Sequence, residues 1–275
     1  MNTPMDIRMN DMDGNSKMSI LSPYRDIGPY RARNLVGALL IESQRVFGCL
    51  AGGLSLEEIR ERAIHGTLFT QRALLSRKRF WSMLRSRYFD LPEWALSEMV
   101  EAYKCGPHSR EFISLLYLHY ALSDHFTFDI ITKDLWEKWV LQQFSVSRDD
   151  ILKILDDSAE ADPQIKSWTE ATRIKLAGII LSSLRDFGVL EGKQRKKLVR
   201  PVMPLNTTKH ILHILTAEGV KGSDVLSDPT WRLFFCTEDD IAHHFQHLAL
   251  KRIIHFERVG RTVVLQTPDE WSKQP

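Results

Sequence analysis

The feature that most constrains this chain is a succession of segments with a 3.6-residue apolar period, cut at short intervals by glycine and proline. From Leu35 to Phe47 the apolar residues share one helical face, and Gly52-Gly53 ends the run. Ser55 then stands as an N-cap with Glu57 and Glu58 in the first turn, for a helix reaching about Ile64 and stopped by Gly66. A third helix is expected from near Ser76 to before Pro92, a fourth from Trp94 to Tyr103, and a fifth from Glu111 to Leu122. Thr132 or Asp134 caps a sixth, which carries Trp136 and Trp139. Helices joined this closely make a bundle, so residues 20-145 read as a helical domain.

Near Ser145 the pattern changes. A short helix (Asp149 to Leu155) leads into the acidic stretch 156–163, expected as a loop, and a long helix follows from Trp168 to Phe187. Residues 188–201 then read as two short extended segments around a basic turn. Helices followed by a hairpin are the order of a winged helix. The last third repeats the theme, with helices at 207–218 and from the Thr237 cap to Leu250, and a hairpin around Val259-Gly260. The fold expected is therefore mainly α: an N-terminal helical bundle, then a winged-helix-like α+β region with short β-hairpins over 146-275, divisible into 146-204 and 205-275. Residues 1-19, polar and carrying Asp6, Asp11 and Asp13, are expected to be a flexible leader without the apolar core of a signal peptide.

A net charge of +2 over 275 residues says little about partners, but the charge is clustered. Between Gln71 and Arg87 stand Arg72, Arg77, Lys78, Arg79, Arg85 and Arg87, with no acid among them. On a helix, Phe80, Met83 and Leu84 share one face, and the cations crowd the N-terminal turn, where they oppose the helix dipole until anions bind. With the Ser55–Ile64 helix before it, this pair resembles a helix-turn-helix. The plainer alternative is a solvated face balanced by acids on neighbouring helices. A second cluster, Lys193, Arg195, Lys196 and Lys197, falls at the expected wing tip, and the long helix before it offers Thr172, Arg173 and Lys175 near its start. These residues are the candidate contacts to double-stranded DNA.

Other chemistries find less support. Cys49, Cys105 and Cys236 are too far apart for a CxxC site and are expected to be small buried hydrophobes. His243 and His247 lie i, i+4 on one helix, but no third ligand is in reach, and Glu238, Asp239 and Asp240 are explained as first-turn acids; no metal and no cofactor are expected. Nucleotide-binding, hydrolase and metalloprotease motifs are missing, so no enzyme activity or small-molecule substrate is expected. Trp81 could stack on a base, though packing in the core suits it better. The longest apolar run, Leu35 to Ile41, is far short of the roughly 18 residues that cross a bilayer, so no membrane contact is expected and the location is expected to be cytoplasmic.

The order of segments resembles the BrxA family, accessory proteins of BREX phage-defence systems. The likeness lies in Leu39-Leu-Ile-Glu-Ser, the Gly53-Leu-Ser-Leu-Glu-Glu-Ile helix, the arginine-rich 72–87 stretch with Leu91-Pro92, Trp168-Thr-Glu-Ala-Thr, Phe187-Gly-Val-Leu, Pro201 and Trp231-Arg-Leu-Phe, spanning about Arg33 to Gln266. It implies a non-enzymatic, two-domain, mainly helical protein with DNA-binding capacity, working beside other BREX components. Rival readings are a scaffold docking an acidic protein, a transcriptional regulator, which would need a dimer, and a nuclease.

Overall fold

The computed structural model describes residues 22–272 apart from Arg33, Arg72, Gln194 and Arg261. The expected leader and the expected contact Arg72 lie outside the described residues. The chain is mainly helical with short antiparallel strands.

Helix α1 (Leu40–Ala51) starts later than the apolar period suggests, because Gly37 (φ +80°) and Leu39 (φ +54°) hold left-handed backbone that a helix cannot include. Helix α2 (Leu56–Ile64) has the expected cap: Ser55 Oγ accepts from Glu58 N, and the Glu58 carboxylate accepts from Ser55 N. Helix α3 (Leu74–Leu84) runs into a π turn (Arg85–Phe89), and α4 (Glu93–Lys104) and α5 (Arg110–Leu122) come after it. The next helix begins earlier than expected. Asp124, rather than Thr132 or Asp134, caps α6 (His125–Asp129), which continues through a π turn (Ile130–Leu135) into α7 (Trp136–Val140). Thr132 instead donates to Phe128 O inside the run (2.9 Å).

The acidic stretch expected as a loop is helical, since α8 spans Arg148–Ala161. A Ser147/Asp150 capping box starts it, and Ile151, Leu155 and Ala159, spaced by four, carry its buried face through the acidic residues. Asp162 caps the short α9 (Pro163–Lys166), and Thr169 caps α10 (Glu170–Asp186). Strands β1 (Ser145–Val146), β2 (Leu190–Glu191) and β3 (Lys196–Leu198) form an antiparallel sheet in the order β1-β3-β2, pairing Val146 with Lys196 and Leu190 with Leu198. The C-terminal part comprises α11 (Leu205–Ala217), α12 (Asp224–Ser227), a 3-10 turn (Pro229–Phe234), α13 (Glu238–Leu250), the hairpin β4 (His255–Val259) and β5 (Thr262–Gln266), and a last 3-10 turn (Asp269–Ser272).

The core is continuous from Tyr24 to Trp271 and is arranged around α5, in which Phe112 and every residue from Ser114 to Leu122 are buried. Its polar groups reach partners on both sides of position 145: Ser114 Oγ meets Thr207 Oγ1 (2.6 Å), Tyr117 Oη donates to Leu233 O (2.8 Å), and His119 Nε2 meets His210 Nε2 (2.9 Å). Of the cysteines, Cys236 is buried, Cys49 half-buried and Cys105 exposed, which corrects the expectation of three buried thiols.

Arg87 belongs to this core. The π turn adds a residue to the helical repeat and brings Tyr88 and Phe89 to the side of Trp81 and Leu84; Arg87 beside them is buried as well, while Arg85 stays outside. Arg87 is 1% exposed; Nη2 donates to Asn34 Oδ1 (2.7 Å), Nη1 to Ala38 O (3.3 Å), and the guanidinium lies 4.8 Å from the Tyr120 ring centroid. Asn34 Nδ2 in turn donates to Thr127 Oγ1 (2.8 Å) and Asp124 Oδ2 (3.2 Å). Replacing Arg87 by Leu leaves these acceptors buried without their cation. Urea unfolding is expected to show a loss of about 3–5 kcal/mol; a loss under about 1 kcal/mol would contradict the role given to Arg87.

A second buried group fixes the C-terminus. The His213 ring is stacked between Trp94 (centroids 3.5 Å apart) and Trp271 (4.6 Å). Burial pushes the His213 imidazole down to about 4. Nearby, burial raises the Glu98 carboxyl, but bonds from His210 and Lys209 outweigh this and bring it to about 2. For His213 the folded value lies below the unfolded one, near 6.5, so its stabilisation is complete above about pH 6.5 and is lost as pH falls through about 4. A His213→Phe variant keeps the stack and removes the titration. Between pH 6.5 and 4 the parent is expected to lose about 3 kcal/mol more stability than the variant, read from unfolding curves at each pH; parallel pH profiles would refute it.

Candidate nucleic-acid interface

Helix α3 presents a defined outer face. Leu75, Lys78, Arg79 and Ser82, at spacings of three and four, are all exposed, while Trp81 and Leu84 are buried on the opposite side and Phe80 and Met83 are half-buried. Trp81 packs on Phe89 (centroids 5.8 Å apart, stacked), so it serves the core and not base stacking. The helix starts at Ala73 with no side-chain cap and no acid in its first turn. Its positive residues therefore sit against the positive end of the helix dipole, a cost that a bound anion would offset.

The expected contacts separate into those spent inside the fold and those left outside. Arg77 is half-buried, and its Nη1 donates to Gly66 O (2.9 Å), bracing the connection from α2. Arg85 is exposed and pairs with Asp90 (3.0 Å). Arg87 is removed from the interface altogether, since burial against Asn34, Ala38 and Tyr120 leaves no edge of its guanidinium for a phosphate. Lys78 and Arg79 are exposed and form no ion pair among the described residues. The link between α2 and α3 covers residues 65–73, nine in all, and is longer than the three- or four-residue turn of a helix-turn-helix. The expected helix-turn-helix likeness of this pair therefore does not extend to its turn.

The second cluster is held by the β2–β3 turn. Gly192 (φ +92°) is needed there, because a Cβ would stand 2.2 Å from Arg195 O. The tight backbone projects Lys193, Arg195 and Lys197 outward, all exposed and without ion pairs among the described residues. Lys196 is half-buried and donates to Lys193 O (3.0 Å), and Lys197 Nζ lies 5.8 Å from the Phe144 ring. On α10, Thr172 is half-buried and shares a bond with Thr169 Oγ1 (2.9 Å), and Arg173 is held by Asp156 (2.6 Å). Of that triplet Lys175 alone is exposed and unpaired among the described residues. Arg173 is one of the expected DNA contacts; the helical, rather than looped, acidic stretch brings Asp156 against it.

Two features escaped the sequence reading. Arg200, beyond the turn, pairs with Asp240 (2.8 Å) and meets Cys236 Sγ (3.3 Å), so it ties this unit to α13. Leu75 is 78% exposed beside Lys78 and Arg79, and an apolar pair at the start of a basic helix could have signalled it. The His243/His247 pair gathers no third ligand: among the described residues no group of three or more His, Cys, Asp or Glu is placed to hold a metal ion, and His244 Nδ1 is bonded to Thr208 Oγ1 (2.8 Å). Among the described residues no helix is long and apolar enough to cross a membrane.

Comparison with known proteins adds family and fold. A solved structure of an uncharacterised protein from Magnetospirillum magneticum superimposes with a TM-score of 0.58 at 17% identity, covering 76% of this chain and 100% of that one; at such identity the likeness is one of fold. Among curated proteins, none matches the sequence. The sequence profile of the BrxA family matches residues 29–214, from before α1 to within α11. That stretch covers well over half of the 275 residues, and the chain belongs to the BrxA family.

Proposed function

We propose that this chain is a non-enzymatic component of a BREX phage-defence system that binds double-stranded DNA through the phosphate backbone. Family membership supports the association with BREX. The observation that carries the DNA reading is the β2–β3 turn. The order β1, α8, α9, α10, β2, β3 with β3 central in the sheet resembles that of a winged helix, and in this reading the wing holds Lys193, Arg195 and Lys197, exposed and unpaired among the described residues. A folded protein gains little by holding like charges together on a tight turn, whereas a polyanion releases counterions on meeting them. Lys78, Arg79 and Lys175 supply further cations on α3 and α10. Sequence preference is weak in this reading, because the exposed candidates are cations suited to phosphates and few side chains suited to base edges accompany them. Leu75 favours a second reading, in which α3 docks on a protein of the same defence system, since an exposed leucine contributes more to a protein contact than to a phosphate contact.

Duplex binding by the purified chain across a salt series tests this. The parent is expected to lose affinity steeply with salt. Changing Lys193, Arg195 and Lys197 together to Ala is expected to reduce the log–log slope by about two to three units, and changing Lys78 and Arg79 by about one to two. No binding at low salt, or slopes equal in parent and variants, would defeat the DNA reading and favour a protein partner.

A further inference from the structure

A cavity of about 200 Å³ lies between residues 22–26, the π turn and α5, with Tyr24, Ser86, Leu91 and His119 in its wall. Two of these groups are buried with bonding capacity left over. His119 is 1% exposed, and its Nδ1 has no partner among the described residues. The chain of groups behind it decides what that nitrogen offers. Glu98, at about 2, is a carboxylate near neutral pH, so the proton of His210 that faces it (2.7 Å) sits on Nδ1. His210 Nε2 then accepts from His119 Nε2 (2.9 Å), and His119 Nδ1 is left as a lone pair. Burial holds the His119 imidazole well below its usual value, which keeps it neutral. Tyr24 is 5% exposed, and its hydroxyl donates to no group among the described residues. One free acceptor and one free donor therefore share the cavity.

The wall also contains Arg25 and Arg87, which are already bonded to Glu218 and to Asn34 and Ala38. Their charge disfavours a cation, and the His119 lone pair disfavours an anion. A neutral molecule with an N–H beside an acceptor suits both groups. The volume lies below the roughly 300–1,000 Å³ of drug-sized sites and so suits one ring or two fused rings, for which Pro23 and Leu91 supply apolar wall. Position narrows the choice further. Ser86 continues the exposed row of Lys78, Arg79 and Ser82, so the cavity lies about 12 Å along the helix from Lys78. That is a few nucleotides from a phosphate held there. We propose that the cavity takes the hydrogen-bonding edge of a single nucleobase, with His119 Nδ1 accepting an N–H of the base and the Tyr24 hydroxyl donating to the ring nitrogen or carbonyl next to it. Each of the four bases carries such a pair on the edge that it turns to its complement, so the site takes a base that is unpaired and does not depend on which base it is. The choice of a nucleobase over other neutral amides rests on the reading of α3 as a phosphate-binding face; the donor and acceptor in the cavity do not.

Adenosine titrated into the full chain, isotope-labelled at histidine and free of DNA, tests this by nuclear magnetic resonance. The His119 Nδ1 signal is expected to move as that nitrogen gains a hydrogen bond. Purine riboside, the same ring without the amino group, is expected to bind about three- to ten-fold more weakly. Tyr24→Phe removes one unpartnered hydroxyl and is expected to weaken adenosine by a similar factor while keeping the parent's melting temperature. An unmoved His119, benzamide bound as tightly as adenosine, or full affinity in Tyr24→Phe each overturns the proposal. A duplex with one unpaired adenine, set against its fully paired counterpart, identifies the source of the base. Tighter binding of the former that is lost in Tyr24→Phe assigns the site to a base in a strand; equal binding of the two, with adenosine bound, assigns it to a free nucleoside. Changing Lys78 and Arg79 to Ala is expected to leave adenosine binding intact, so a failure of duplex binding defeats the phosphate reading while the adenosine titration still decides this one.

Discussion

A helix buried on every side has no water to satisfy its polar side chains, and α5 carries Ser114, Tyr117, His119 and Tyr120 in that condition. Distant parts of the chain come to meet these side chains. Ser114 and His119 draw in α11 through Thr207 and His210, Tyr117 draws in the 3-10 turn through Leu233, and the Tyr120 ring faces the Arg87 guanidinium. The apolar residues of α5 would pack in several rotations about its axis with similar burial. The polar contacts admit one, and so fix how the N-terminal helices and α11 meet.

The same economy sorts the cations. An arginine whose guanidinium satisfies carbonyls or a carboxylate inside the fold is no longer free to answer a phosphate, and Arg77, Arg87 and Arg173 are of this kind. Those left over lie on α3, on α10 and on the β2–β3 turn, each placed by a different local device: an uncapped helix start, a threonine cap and a glycine turn. Local charge density in a sequence therefore overstates a binding surface wherever one of the charges has a structural use.

Much of the architecture was legible because it rests on short-range chemistry. The Ser55 capping box, the Gly52-Gly53 stop and the Val259-Gly260 hairpin act within a few residues, and each appears where the sequence places it. Failures came where distant contacts decide. The acidic stretch after Asp156 reads as a loop until Ala159 is buried behind it, and Leu39 takes a left-handed backbone that no local signal announces. The chain from Glu98 through His210 to His119 joins three helices and has no signature in the spacing. Within the candidate interface, the cations on the turn were visible from composition and a glycine. The loss of Arg87 was not, because nothing in a run of arginines marks which one will be folded inward.

The π turn at Arg85–Phe89 is a frame shift written in backbone. Helical side chains repeat every 3.6 residues, and one extra residue per turn moves the reading of faces by about 100°. Removing a single codon between Trp81 and Arg87 would restore the ordinary repeat and bring a different side chain to the place where Asn34 and Tyr120 wait for a guanidinium. A substitution there can be absorbed gradually, but a length change cannot. This helix should therefore drift in composition among relatives far more readily than in residue count, and a gap placed here in an alignment would mark a change of core as well as of loop length.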